Sequence, residues 1–143
     1  MSQMSELDSF VALSKILTGE KALPKTLAAE YLQRLKAQNA GSMQKVLDQF
    51  SQIANDRYRV FEVKRRVAET KEPGKEDLPA MAQQIIRIWY TAEFFPLGPD
   101  GKPTATALSG TQQQYYSGLL WNVIQAHAPT DSKQSYGYWT TKP

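Results

Sequence analysis

Cysteine is absent from this 143-residue chain, and histidine occurs once, at His127. The first absence excludes disulfides, thiolate metal sites and cysteine nucleophiles. The second leaves carboxylates as the remaining metal ligands, and no Asp/Glu-rich loop has the spacing of a calcium site. A general base needs an orienting partner and a nucleophile within reach, and no spacing nominates either. His127, close to Pro129 where a helix is expected to end, reads as a structural or surface histidine. G-x-G-x-x-G and Walker loops are missing, so no recognisable route to a bound nucleotide or flavin exists in this chain. Catalytic, cofactor-binding and metal-ligating residues are therefore expected to be none. No apolar run approaches the roughly 20 residues that a bilayer-spanning helix needs, so direct membrane insertion is not expected. Residues 1–8 are polar and show no signal peptide. Export would need a signal that has been removed or that a partner carries.

Excess charge of one sign is also small. Seventeen Lys+Arg face 14 Asp+Glu, a formal net charge of +3. Nucleic-acid binders concentrate positive charge on one face. Here the dense basic cluster, Lys64-Arg65-Arg66, is flanked by Glu62 and Glu69 and reads as a solvated helix face. No nucleic-acid partner is expected.

What the chain does have is helical periodicity. Its length fits one domain. Residues 5–18 predict a first helix: Ser5 with Asp8 three residues on resembles a capping box, Leu7, Phe10, Val11, Ser14 and Leu17 share a face, and Gly19 stops it. A second helix starts near Pro24, carries Leu27, Tyr31 and Leu35, and ends at Asn39-Ala40-Gly41. Ser42 caps a third, with Met43, Val46, Leu47, Phe50 and Ile53 as its stripe, and Asn55-Asp56 breaks it. Val60, Val63 and Val67 predict a fourth over 57–70, followed by a connector at 71–75. Asp77 and Pro79 open a fifth. It holds the most apolar run, 82–95, where Ala82, Ile85, Ile86 and Trp89 form a continuous stripe ahead of Tyr90 and Phe94-Phe95.

Residues 96–110 then form a long loop with Pro96, Pro99 and Pro103 and a turn at Pro99-Asp100-Gly101. A last helix is expected over 111–125, closed by Pro129, and 135–143 is non-helical. The sum is an all-α fold, five or six helices in a single compact domain over 1–143, with a long Pro/Gly loop and an extended aromatic C-terminal tail. The expected core is Phe10, Leu17, Phe50, Ile85, Ile86, Trp89 and Leu119. Trp89, Tyr115 and Trp121 sit on helical stripes, which are usually core. Tyr136, Tyr138 and Trp139 stand on a non-helical terminus that either the domain or a partner must cover. Two functional classes fit: a subunit of a larger complex, or a standalone aromatic-rich binding module for a carbohydrate or peptide.

Four segments resemble one family. They are F-V-A-L-S-K-I-L-T-G at 10–19, I-I-R-I-W-Y-T at 85–91, Y-Y-S-G-L-L-W at 115–121 and G-Y-W-T-T-K-P at 137–143. Their order and spacing are similar to the small (gamma) subunit of bacterial membrane-associated FAD-dependent sugar and polyol dehydrogenases, the sorbitol, fructose and glucose dehydrogenase group. Ala92 stands where that family commonly has glycine, and the twin-arginine export signal of many members is not seen. The resemblance implies a non-catalytic subunit without a redox centre. FAD would sit in a large partner subunit, and a haem c subunit would often accompany the pair. The small subunit would support folding, maturation or export of the large one, in the periplasm. The contact with it would be made by Tyr90, Phe94, Phe95, Trp121, Tyr136, Tyr138 and Trp139.

Overall fold

Helix α1, Glu6–Thr18, begins where its sequence says it should. In this computed structural model, which describes residues 5–53 and 55–120, the Ser5 hydroxyl accepts from the Asp8 N–H at 3.1 Å. Glu6 and Asp8 place negative charge against the positive end of the helix dipole. Gly19 closes the helix in a left-handed conformation, φ 77°, that a side chain would strain. Phe10, Leu13 and Ser14 face inward.

Helix α2, Lys25–Ser51, is one run where two helices separated by a turn were expected. Asn39 alone leaves helical geometry, at φ −140° and ψ 59°, and makes a kink. Ser42 is therefore not an N-cap. Its hydroxyl reaches across to the Asp77 carboxylate at 3.1 Å. The kink persists because Asn39 spends its amide elsewhere, on the backbone of Leu97.

Helix α3 covers Arg59–Val63 and continues as a π-helical turn, Lys64–Ala68, where the Glu69 N–H bonds the Lys64 carbonyl at 2.8 Å. Val63 and Val67 are buried, but Val60, expected on the same stripe, is exposed. Helix α4, Asp77–Thr91, buries Leu78, Met81, Ala82, Ile85, Ile88 and Trp89. That register leaves Ile86 half-buried, and Ile88 takes the inward place expected for it. Leu17 is likewise half-buried, packed against the edge of the core.

Helices α1, α2 and α4 pack on one another around Trp89. Its ring stacks on Phe10 at 6.4 Å and takes the edge of Tyr31 at 4.9 Å, with an interplanar angle of 89°. Such pairs contribute about 0.5–1.5 kcal/mol beyond their area burial. Phe50 and Leu119 are buried with them.

The helix expected over 111–125 is broken within its described part, and residues 121–125 lie outside the described ones; the element that opens it is α5. It covers Gln112–Tyr116, opened by a reciprocal Thr111/Gln114 capping box, and turns off at Ser117. Gly118 follows in the break. A Cβ there would lie 2.4 Å from the Tyr90 carbonyl oxygen, so the chain crosses the end of α4 in contact with it. The next N–H, of Leu119, then caps the Trp89 carbonyl at 2.9 Å. No strand occurs among the described residues. Two isolated antiparallel bridges, Phe94 with Leu108 and Leu97 with Pro103, fold the long loop back on itself.

Candidate partner-binding surface

The loop after α4 carries backbone groups that no helix or sheet satisfies, so side chains must. Three of them come from the helices. Gln84, buried on α4, accepts from the Phe95 N–H at 2.7 Å. Asn39, at the kink of α2, accepts from the Leu97 N–H at 2.9 Å and donates to the Leu97 carbonyl at 3.0 Å, as a neighbouring strand would. Arg34 donates to the carbonyls of Ala92 at 2.8 Å and Leu108 at 3.1 Å, and to Gln114 Oε1 at 2.9 Å. Gln114, itself buried, passes its amide N–H to Glu30 at 2.6 Å. Burial holds the Arg34 guanidinium below its ordinary pKa range. The same burial raises the Tyr31 phenol to about 12. This polar node joins α2, α4, the loop and α5, and it closes the domain from within.

The node also decides where the aromatics go. Phe94 was expected at a partner surface. It is 1% exposed, lies in the core, and has the Arg34 guanidinium 5.5 Å above its ring. Phe95 is half-buried under Arg87, at 4.9 Å, and Tyr90 is half-buried against the core. Trp121, Tyr136, Tyr138, Trp139 and His127 lie outside the described residues. The rings that do face solvent are others. Tyr58 is 55% and Phe61 62% exposed, and Val60 between them 47%. Tyr115 and Leu120 are also exposed. The periodicity held a signal for the first group. With Val63 and Val67 inward, Phe61 falls on the opposite side of the helix.

The family model described as "membrane bound FAD containing D-sorbitol dehydrogenase" matches residues 2–143. The chain belongs to that family. Neither the curated proteins nor the solved structures give a match. The match extends over all four segments that carry the resemblance, and the chain is of the small-subunit type of FAD-dependent sugar and polyol dehydrogenases. Its place is thus as a subunit of an FAD-containing dehydrogenase.

The described residues of this dehydrogenase subunit contain no strand–turn–helix unit of the kind that holds a dinucleotide. A dinucleotide is held by a strand–turn–helix unit whose helix N-terminus offers free N–H groups to the pyrophosphate. Here no strand precedes a helix among the described residues, and the first turns of α1 and α4 carry Glu6, Asp8 and Asp77, which repel phosphate. A groove of about 590 Å³ is lined by charges of both signs; two of its cations, Arg65 and Arg66, are already paired with Glu62 at 3.0 and 2.8 Å. That pairing holds the Glu62 carboxyl below its ordinary range, with the Arg65 hydrogen bond as the largest cause. No group of three or more His, Cys, Asp or Glu side chains able to hold a metal ion occurs among the described residues. No helix among them is long and apolar enough to cross a membrane.

Proposed function

We propose that this chain is a non-catalytic small subunit that binds the FAD-containing large subunit of a sugar or polyol dehydrogenase and supports its folding, maturation or export. The observation that carries this reading is the family match over residues 2–143. The geometry supports it in a second way. The polar side chains at the core edge, Arg34, Asn39 and Gln84, hold the chain's own loop, and Gln114 is committed to Arg34 and Glu30. Large apolar side chains remain outside, on α3 and beside α5, where a partner can cover them.

Such a subunit acts by mass action. A protein that binds only the folded large subunit stabilises it by about 2.7 kcal/mol at a hundredfold excess over Kd. FAD and the sugar oxidation belong to the large subunit, an accompanying haem c subunit takes the electrons, and the complex works in the periplasm. Expressing the large subunit with and without this chain tests the reading. The expected result is more soluble, flavin-loaded large subunit and more dye-linked polyol oxidation in extracts with the chain present. Equal flavin content and equal activity in both would refute it.

A further inference from the structure

A groove of about 550 Å³ opens between α1, the end of α2 and the start of α3. Its apolar lining is Val11, Ala12, Ile16, Leu23 and Phe50, and Arg59 stands in its wall. The charges around it are unbalanced. Lys25 at the rim is neutralised by Asp8 at 2.9 Å. Arg59 and Lys15, which also line the groove, pair with no carboxylate among the described residues. The nearby acids are occupied: Asp56, in the turn before α3, accepts from the Tyr58 N–H, and Glu62 on α3 holds Arg65 and Arg66.

Arg59 is the unusual member. Its guanidinium lies 4.1 Å from the centroid of the Phe50 ring, its Nε is buried without a hydrogen-bond partner, and burial lowers its pKa. A cation partly stripped of water and without a counter-ion is costly alone and strongly attractive to an anion that can reach it. Tyr58 and Val60, its neighbours in the chain, are exposed. Apolar lining and uncompensated positive charge thus occur together, which is the pattern of a docking surface complementary to an apolar segment with negative charge.

We infer that this groove seats an apolar segment of the FAD-containing large subunit, and that a carboxylate on that segment pairs with Arg59. The inference rests on the proposed function and adds the face, the residues and the chemistry of the contact.

The test uses the full chain and the FAD-containing large subunit, with affinity measured between the purified subunits. Arg59→Glu is expected to weaken binding at least about tenfold, because it sets like charges against each other where a pair should form. Arg59→Lys should recover most of the loss. Lys15→Glu, at the same rim, is expected to weaken binding roughly threefold, and it removes no described contact, so it decides the matter if Arg59→Glu unfolds the chain. Lys102→Glu, on the distant loop, is the control and should bind like the wild type. If Arg59→Glu folds and both reversals bind within twofold of wild type, the groove is not the contact and only this inference falls. If Arg59→Glu unfolds, binding of Lys15→Glu within twofold overturns it. If the wild-type chain itself does not bind the large subunit, the proposed function falls and takes this inference with it.

Discussion

Arg34→Met isolates the polar node. The substitution keeps the length and apolar stem of the side chain but removes its three hydrogen bonds, to Ala92, Leu108 and Gln114. Each bond to a charged donor contributes about 1.5–3 kcal/mol when intact, and an acceptor left buried without a partner costs about 1–3 kcal/mol. The three acceptors are not equally exposed to that loss. Leu108 O keeps the Phe94 N–H at 3.2 Å, and Gln114 Oε1 keeps a long contact from the Thr111 N–H at 3.4 Å. Ala92 O keeps no other partner among the described residues. Arg34 is only half-buried, so water offsets part of the rest. The net cost is therefore about 2–3 kcal/mol, which for a domain of this size lowers Tm by roughly 6–12 °C. Thermal unfolding followed by circular dichroism measures the first effect. Amide hydrogen exchange measures the second: the Phe94, Leu97 and Leu108 amides should exchange faster in the variant, while those in the middle of α1 stay protected. Arg34→Lys should resemble Arg34→Met more than the wild type, because one ammonium does not reproduce a planar fork spanning three acceptors. A drop in Tm under about 2 °C, or unchanged exchange at Leu108, would show that the loop is held by packing and refute the reasoning.

Ala92 closes α4 at φ 63° with its methyl buried, so Ala92→Gly should leave Tm within about 2 °C of wild type: relief of left-handed strain offsets the lost methyl. A fall of 5 °C or more, as for an ordinary buried alanine, would contradict that. Gly118→Ala should cost about 2 kcal/mol or more in denaturant unfolding, since its Cβ would meet the Tyr90 carbonyl oxygen at 2.4 Å; a neutral result would mean that the chain does not cross α4 so closely. Tyr31 provides a pH test. Its folded pKa, about 12, lies above the unfolded value of 10, so the protonated phenol contributes stability that is complete below pH 10 and lost as pH rises through 12. Tyr31→Phe should therefore lose less Tm than the wild type between pH 10 and 12, and parallel curves would count against the burial of that hydroxyl.

The helices were legible because each carries a local instruction. Ser5 with Asp8 and Gly19 mark the ends of α1 through bonds made within one turn, and Pro24 marks the start of α2. The apolar stripes of α1, α2 and α4 are periodic and point at a common core, so Phe10, Phe50, Ile85 and Trp89 are buried, whereas Leu119 is buried from a turn and not from the helical stripe expected for it. The errors have a common cause. Asn39, Phe94 and Gly118 owe their conformations to residues 58, 60 and 28 positions away, Leu97, Arg34 and Tyr90, and no local pattern contains those partners. Ser42 read as a cap because its bond to Asp77 spans 35 positions.

The amino-acid sequence by itself determined that this is a helical chain, where most of its helices lie, and, through four short segments spread along its length, which family it belongs to. Those properties depend on neighbours within a few residues or on residue identity alone. Only the tertiary structure decided which aromatics are inside. Phe94, just past the end of α4, is core, and Phe61, on α3, is among the most exposed large apolar side chains described. The physical reason is that burial of an aromatic after a helix end depends on what the following loop bonds to. Here the loop is drawn in by Arg34, Asn39 and Gln84, whose side chains reach its backbone only once α2 and α4 have packed.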